Sequence, residues 1–180
     1  VSVTHCDLIK HDIPVQAGGL GGGAIKQVIV NHAFGRKAFG DGVPMTSGSG
    51  NYMQINGKKF VLTALHVVQG REDIFITEKG GANHIAKLKY ADPIRDIAIL
   101  EISRSLKYTK AIEYRSVESN HIGREVFYCG HPENTSFMNF KGIIGGTDSQ
   151  WLMLNIFAWP GSSGSVIFDS EGNVVGVVSA

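Results

Sequence analysis

Gly48-Ser49-Gly50-Asn51-Tyr52-Met53-Gln54-Ile55-Asn56-Gly57-Lys58-Lys59-Phe60-Val61-Leu62-Thr63 contains two extended runs, Tyr52–Ile55 and Phe60–Thr63, with a two-residue Asn56-Gly57 turn between them. Asn-Gly between apolar runs suits a tight hairpin turn, because both central residues must take positive φ. The hairpin hands the chain to Ala64-Leu65-His66-Val67-Val68, where Leu65–Gln69 fits a single helical turn. The same grammar repeats downstream. Short strands are expected at Asp73–Thr77, Ile85–Tyr90, Ile97–Ile102, Glu125–Cys129, Ile143–Ile144, Trp151–Phe157, Val166–Phe168 and Val174–Val178, broken by Gly, Asn and Asp turns. Upstream, Ile25–Val30 is one more strand. No stretch sustains a helical period, so the fold class is all-β, a barrel or a sandwich. Strand sets before and after about residue 115 imply two lobes, with Ser103–Val117 as the connector.

The totals bound the function classes. A chain of 180 residues is one domain or one two-lobed unit. With 43% hydrophobic and only 18% charged residues, it can bury a core and is not a disordered chain. A net charge of +1 gives no global electrostatic case for nucleic acid or a membrane surface. No window approaches the ~18 apolar residues of a spanning helix, so no membrane segment is expected. Cys6 and Cys129 are too few for a disulfide-stapled secreted domain and read as free thiols of an intracellular, reducing compartment. His5, Cys6, Asp7, His11 and Asp12 are metal-ligand types without metal-ligand spacing. Gly18–Gly23 lacks the strand-to-helix setting of a phosphate cradle and reads as a connector. Neither a metal nor an organic cofactor is implied.

Three residues sit in settings that ask for chemistry. Trp159-Pro160-Gly161-Ser162-Ser163-Gly164-Ser165 places a serine between glycines, just before the apolar run Val166-Ile167-Phe168. Such a turn presents a hydroxyl at its tip and leaves backbone N–H groups beside it for an anion. His66 stands where a strand gives way to a turn, and a hydrogen-bonded core histidine is its plain structural reading. Asp96 opens the buried run Ile97-Ala98-Ile99-Leu100, where a carboxylate needs a partner. A strand-entry turn is the plain reading of Asp96, and Asp92-Pro93 is a turn that makes Asp92 the rival carboxylate. Together the three supply what a serine nucleophile requires: a base for the hydroxyl and a carboxylate to orient the imidazole.

In this order, His66, Asp96, Ser163, the chain resembles the chymotrypsin-like serine proteases (the PA clan). Thr63-Ala64-Leu65-His66-Val67 resembles the family's histidine box, Asp96-Ile97-Ala98-Ile99-Leu100 its aspartate box, and Gly161-Ser162-Ser163-Gly164-Ser165 its serine box. Gly48-Ser49-Gly50 resembles the family's G-S-G before the histidine hairpin, while Gly130-His131-Pro132 and the closing Glu171-Gly172-Asn173-Val174-Val175-Gly176-Val177 resemble HtrA-like members. Ser162 and Ser165 depart from the commoner Asp/Asn and Gly, and valine replaces the usual proline at position 166.

The resemblance implies a double β-barrel of two six-stranded-type lobes with the active site in the cleft between them. Residues 1–46 would be an N-terminal extension with the first strands. Residues 47–115 would carry the histidine and aspartate, and 116–180 the serine. Ser163 would be the nucleophile, His66 the general acid/base and Asp96 its orienting carboxylate. The N–H groups of Gly161 and Ser163 would form the oxyanion hole. Phe157 would floor the specificity pocket, with Ala158 and Ser179 on its walls and His131 touching substrate. A pocket without an acidic floor predicts small, apolar or neutral polar side chains.

The scarcity of cysteine, the start at Val1 and the stop at Ala180 suggest a viral polyprotein-processing protease acting on its own precursor, in the host cytoplasm. The competing readings are a bacterial HtrA-like protease domain and a catalytically silent barrel used for binding. An RNA-binding role would use Arg36, Lys37, Lys58, Lys59, Lys87 and Lys89, which are scattered and read equally as hairpin solvation.

Overall fold

In the computed structural model the Asn56-Gly57 turn takes φ of 50° and 77° and joins β2 (Met45–Ile55) to β3 (Lys58–Ala64). Their register runs from Ile55↔Lys58 to Asn51↔Leu62. The structure describes residues 28–33, 45–70, 73–78, 83–107, 109–115, 121–130, 138–148, 151–158 and 161–179. The cluster at residues 5–12, the glycine run at 18–23, Arg36, Lys37 and His131 lie outside them.

Around this hairpin stand β1 (Val28–Ala33), α1 (Leu65–Val68), β4 (Asp73–Glu78), β5 (Asn83–Asp92) and β6 (Ile97–Ile102). The strand order is β1-β4-β5-β6-β3-β2, and β1 also pairs with β2. That last pairing closes six strands into a barrel. The second lobe contains β8 (Glu125–Gly130), β9 (Met138–Asp148), β10 (Trp151–Asn155), β11 (Val166–Phe168) and β12 (Val174–Val177). Their order is β10-β9-β8-β11-β12. Among the described residues this sheet has five strands, with β10 and β12 at its edges, and the two sheets together match the expected double-barrel fold.

Period-2 alternation explains how the lobes join. On β2 and β3, Tyr52 and Val61 point into the first barrel, while Met53 and Leu62 face the second lobe. On β6, Ala98 and Leu100 point inward, while Ile97 and Ile99 pack on the seam. The second lobe answers in kind. Val166, Phe168 and Cys129 meet the seam, whereas Ile167, Val126 and Tyr128 fill the second lobe's interior. Cys129 is fully buried at the seam.

Several strands run past the sequence reading, β9 and β2 by the most. β9 extends over Met138–Asp148, where only Ile143–Ile144 was expected, and β2 starts at Met45. The segment read as a connector contains β7 (Ile112–Glu113), which pairs in parallel with β2. Tyr114 N donates to Gln54 O at 2.9 Å, and Gln54 Nε2 donates to Glu113 Oε1 at 2.5 Å. On its other side, Arg115 O accepts from Val174 N at 2.6 Å, and Arg115 Nη2 donates to Glu171 O at 3.0 Å.

Candidate active site

The end of β3 turns directly into α1, which places His66 on a single helical turn facing the start of β6. Leu65 N donates to Asp96 O at 3.1 Å, and His66 N donates to Asp96 Oδ1 at 2.8 Å. The His66 ring then meets the same carboxylate, Nδ1 to Oδ2, at 2.6 Å. A carboxylate only accepts, so Nδ1 carries the hydrogen and Nε2 is left as the basic nitrogen. Asp96 reaches this position through a left-handed backbone with φ of 54°. Its Oδ2 also accepts from Ser179 Oγ. Burial alone would raise the pKa of Asp96. The hydrogen bonds from Ser179, the His66 ring and the His66 N–H outweigh it and hold the carboxyl below its ordinary value.

Asp92, the rival, is occupied elsewhere. Its Oδ1 accepts from the N–H groups of Ile94 and Arg95, each at 3.0 Å, and its Oδ2 pairs with Arg95 Nη1 at 2.8 Å. It caps the turn before Asp96, as its Asp-Pro context predicts.

Ser163 lies in the turn before β11 and is nearly buried, at 8% exposure. The first lobe reaches across to hold this turn. Ser49 N donates to Ser163 O at 2.8 Å, and Ser49 Oγ donates to Gly161 O at 2.8 Å. A Cβ on Gly48 would lie 2.8 Å from both Ser163 O and the methyls of Val67, the neighbour of His66. The histidine turn and the serine turn therefore close on one strand, β2. Gly164, at φ 95°, has no room for a side chain: a Cβ would fall on Ser49 O and Thr63 Oγ1.

Peptide planes in the turn are held by their carbonyls. Ser162 O accepts from Ser165 N at 3.2 Å and from Ser165 Oγ at 3.0 Å. In a trans peptide the N–H points opposite to the C=O, so the Ser163 N–H is turned away from Ser165. Gly164 N donates to Val178 O at 3.2 Å, and Val178 N donates to Ser165 O at 2.9 Å, which ties the turn to the end of β12.

A cavity of about 450 Å³ lies between the two edge strands of the second lobe, lined among others by Leu154, Ile156, Ala158, Val177 and Ser179, with Arg95 at its rim. Ala158 and Ser179 thus lie on one cavity wall, and Ser179 has the added bond to Asp96 that the sequence reading did not contain. Phe157 is outside this lining. The residue is 55% exposed, its ring stacks on Phe140 at 5.8 Å, and its carbonyl accepts from Tyr128 OH at 2.5 Å. Burial pushes the Tyr128 phenol up to about 12, against the hydrogen bond with Ser162 that lowers it, so it stays a neutral donor. Lys58, Lys59, Lys87 and Lys89 are exposed, and Lys89 pairs with Glu101 at 3.4 Å. Among the described residues no helix is long and apolar enough to cross a membrane.

Comparison with known proteins agrees with this geometry. The model of the trypsin-like peptidase domain matches residues 48–177. A serine protease Do-like HtrA of Bacillus subtilis is 27% identical over 164 residues, covering 81% of this chain and 36% of that protein. A probable periplasmic serine endoprotease DegP-like of Marinomonas is 27% identical over 161 residues, covering 82% of this chain and 34% of that protein. Among solved structures, the serine endoprotease from Yersinia pestis superposes with a TM-score of 0.64 at 25% identity, covering 83% of this chain and 52% of that one. The chain thus spans about a third of the length of the curated relatives it matches. With the match running over both lobes and all three sequence boxes, the chain belongs to the trypsin-like peptidase domain family.

Proposed function

We propose that the chain is a serine endopeptidase of the HtrA-like kind, with Ser163 as nucleophile, His66 as general acid/base and Asp96 as the carboxylate that orients it. The observation that carries this reading is the 2.6 Å bond between His66 Nδ1 and Asp96 Oδ2, on a turn that packs through β2 against the loop bearing Ser163.

The chemistry follows from those positions. Ser163 Oγ attacks the scissile carbonyl carbon and passes its proton to His66 Nε2. Asp96 steadies the imidazolium without taking the proton. The oxyanion is received by the N–H groups of Gly161 and Ser163. His66 then protonates the leaving amine as the C–N bond breaks, which leaves an acyl group on Ser163. A water that gives its proton to His66 hydrolyses the ester and restores the hydroxyl. Ala158 and Ser179, on the wall of an apolar cavity, support acceptance of an uncharged side chain; Phe157 and His131 are the remaining substrate-contact candidates.

The relatives support one of the competing origins over the others. They are bacterial and chloroplast Do-like proteases, which favours the HtrA-like reading and lends none to a viral, self-processing or RNA-binding one. Three of the relatives are named as probable periplasmic and one as chloroplastic, which favours a compartment other than a host cytoplasm. The complete His66–Asp96–Ser163 set argues for turnover over a silent binding barrel.

A fluorophosphonate probe with a peptide-cleavage assay tests the mechanism. Wild type should label on Ser163 and cleave, whereas Ser163→Ala should not label. Ser163→Ala and His66→Ala should each lose roughly 10⁴-fold or more in kcat. Undiminished turnover by Ser163→Ala would sink the assignment.

A further inference from the structure

We propose that Ser49 is a positioning residue for the reaction: its hydroxyl, donated across the lobe seam to the Gly161 carbonyl, sets the turn in which Ser163 and the oxyanion-binding amides are presented. The inference rests on the serine-protease reading above.

Ser49 is fully buried and touches the turn at three places. Its N–H holds Ser163 O at 2.8 Å, its Oγ holds Gly161 O at 2.8 Å, and its own carbonyl lies where a Cβ of Gly164 would be. Thr63 Oγ1 donates to that same carbonyl at 2.8 Å, which anchors Ser49 from the strand leading to His66. One residue of the histidine-bearing lobe thus spans Gly161 to Gly164.

The hydroxyl bond differs in kind from the backbone one. Gly161 has φ of 95° and no side chain, so its own sterics leave the following peptide plane loosely defined. A donor on its carbonyl fixes that plane. The next plane carries the Ser163 N–H, and an oxyanion donor works only when aimed to within a few tenths of an ångström. Loss of the hydroxyl leaves Gly161 O unpaired by Ser49 and lets the turn rotate, while the His66–Asp96 pair is untouched. A merely structural buried serine behaves otherwise: its removal lowers the melting temperature and leaves kcat of the folded enzyme alone.

The test compares wild type, Ser49→Ala, Ser49→Cys and Ser163→Ala for thermal melting, peptide kinetics and the rate of fluorophosphonate acylation. At a temperature where it is folded, Ser49→Ala should lose about tenfold to a hundredfold in kcat. Its KM should stay within about twofold, acylation should slow in parallel, and the pH–rate profile should keep its shape. Ser49→Cys, a weak donor of similar size, should recover part of the loss. Folded Ser49→Ala with wild-type kcat and acylation overturns the proposal. If Ser49→Ala does not fold, Ser49→Gly keeps the backbone bond to Ser163 and is judged by the same rule. If neither folds, a kcat of Ser49→Cys equal to wild type overturns the proposal, and a lower kcat supports it. Wild type that neither labels on Ser163 nor cleaves would instead sink the protease reading.

Discussion

Asp96 shares a positive φ with only one other non-glycine among the described residues, the hairpin residue Asn56. Asp tolerates that conformation better than most side chains, and here it turns both carboxylate oxygens toward α1. Asp96→Asn preserves the shape but offers an amide that cannot hold the Nδ1–H tautomer from both sides. A loss of roughly 10⁴-fold in kcat at neutral pH is expected, read by steady-state assay on folded protein. Stability gives a second signature. The folded-state pKa of Asp96 is depressed, so its contribution is present above the ordinary value of 3.8 and fades as pH falls through the lower folded value. In urea melts, the advantage of wild type over Asp96→Asn should therefore shrink as pH drops below 3.8. An advantage that grew on acidification would contradict the bonding described. The His66–Asp96 pairing was legible in the sequence because each residue stands against a strand boundary that leaves a polar group needing a partner. The role of Ser49 was not, since Gly48-Ser49-Gly50 was read only as the lead into the hairpin and its partner Gly161 is 112 positions away.

At the scale of elements, the turn before β11 depends on one missing side chain. Gly164→Ala would need a left-handed φ and would drive a methyl into Ser49 O and Thr63 Oγ1. A loss of at least about 2 kcal/mol is expected by urea denaturation. Gly176→Ala on β12 is the contrast, because nothing lies within 4 Å of its Cβ, and a change within about 0.5 kcal/mol is expected. Equal losses at the two positions would refute the steric account. Glycines also explain why β9 looked short in the sequence. Gly142, Gly145 and Gly146 interrupt its apolar pattern, yet the first two are places where Asn155 and Ile156 of the neighbouring segment press against the backbone. The long pairing of β9 with β8 and β10 was hidden by the glycines that this close approach demands.

For the whole molecule, the seam between lobes is a core in its own right, with Met53, Leu62 and Ile112 from one side and Cys129, Val166, Phe168 and Val174 from the other. Phe168→Ala should cost about 3–5 kcal/mol, and far-ultraviolet and tryptophan signals should still report one coincident transition. Two separated transitions in wild type would show lobes that fold independently. Two lobes could be counted from strand spacing, but their seam could not, because runs such as Phe60–Leu62 look uniformly apolar while alternate residues serve different cores. The crossing segment at Ile112–Arg115 carries a mechanical corollary. It is laced to β2 along one side and to the β11–β12 hairpin along the other. A passage stitched down on both flanks is poorly suited to act as a hinge, so under the proposed peptidase reading the two halves are expected to move as one body.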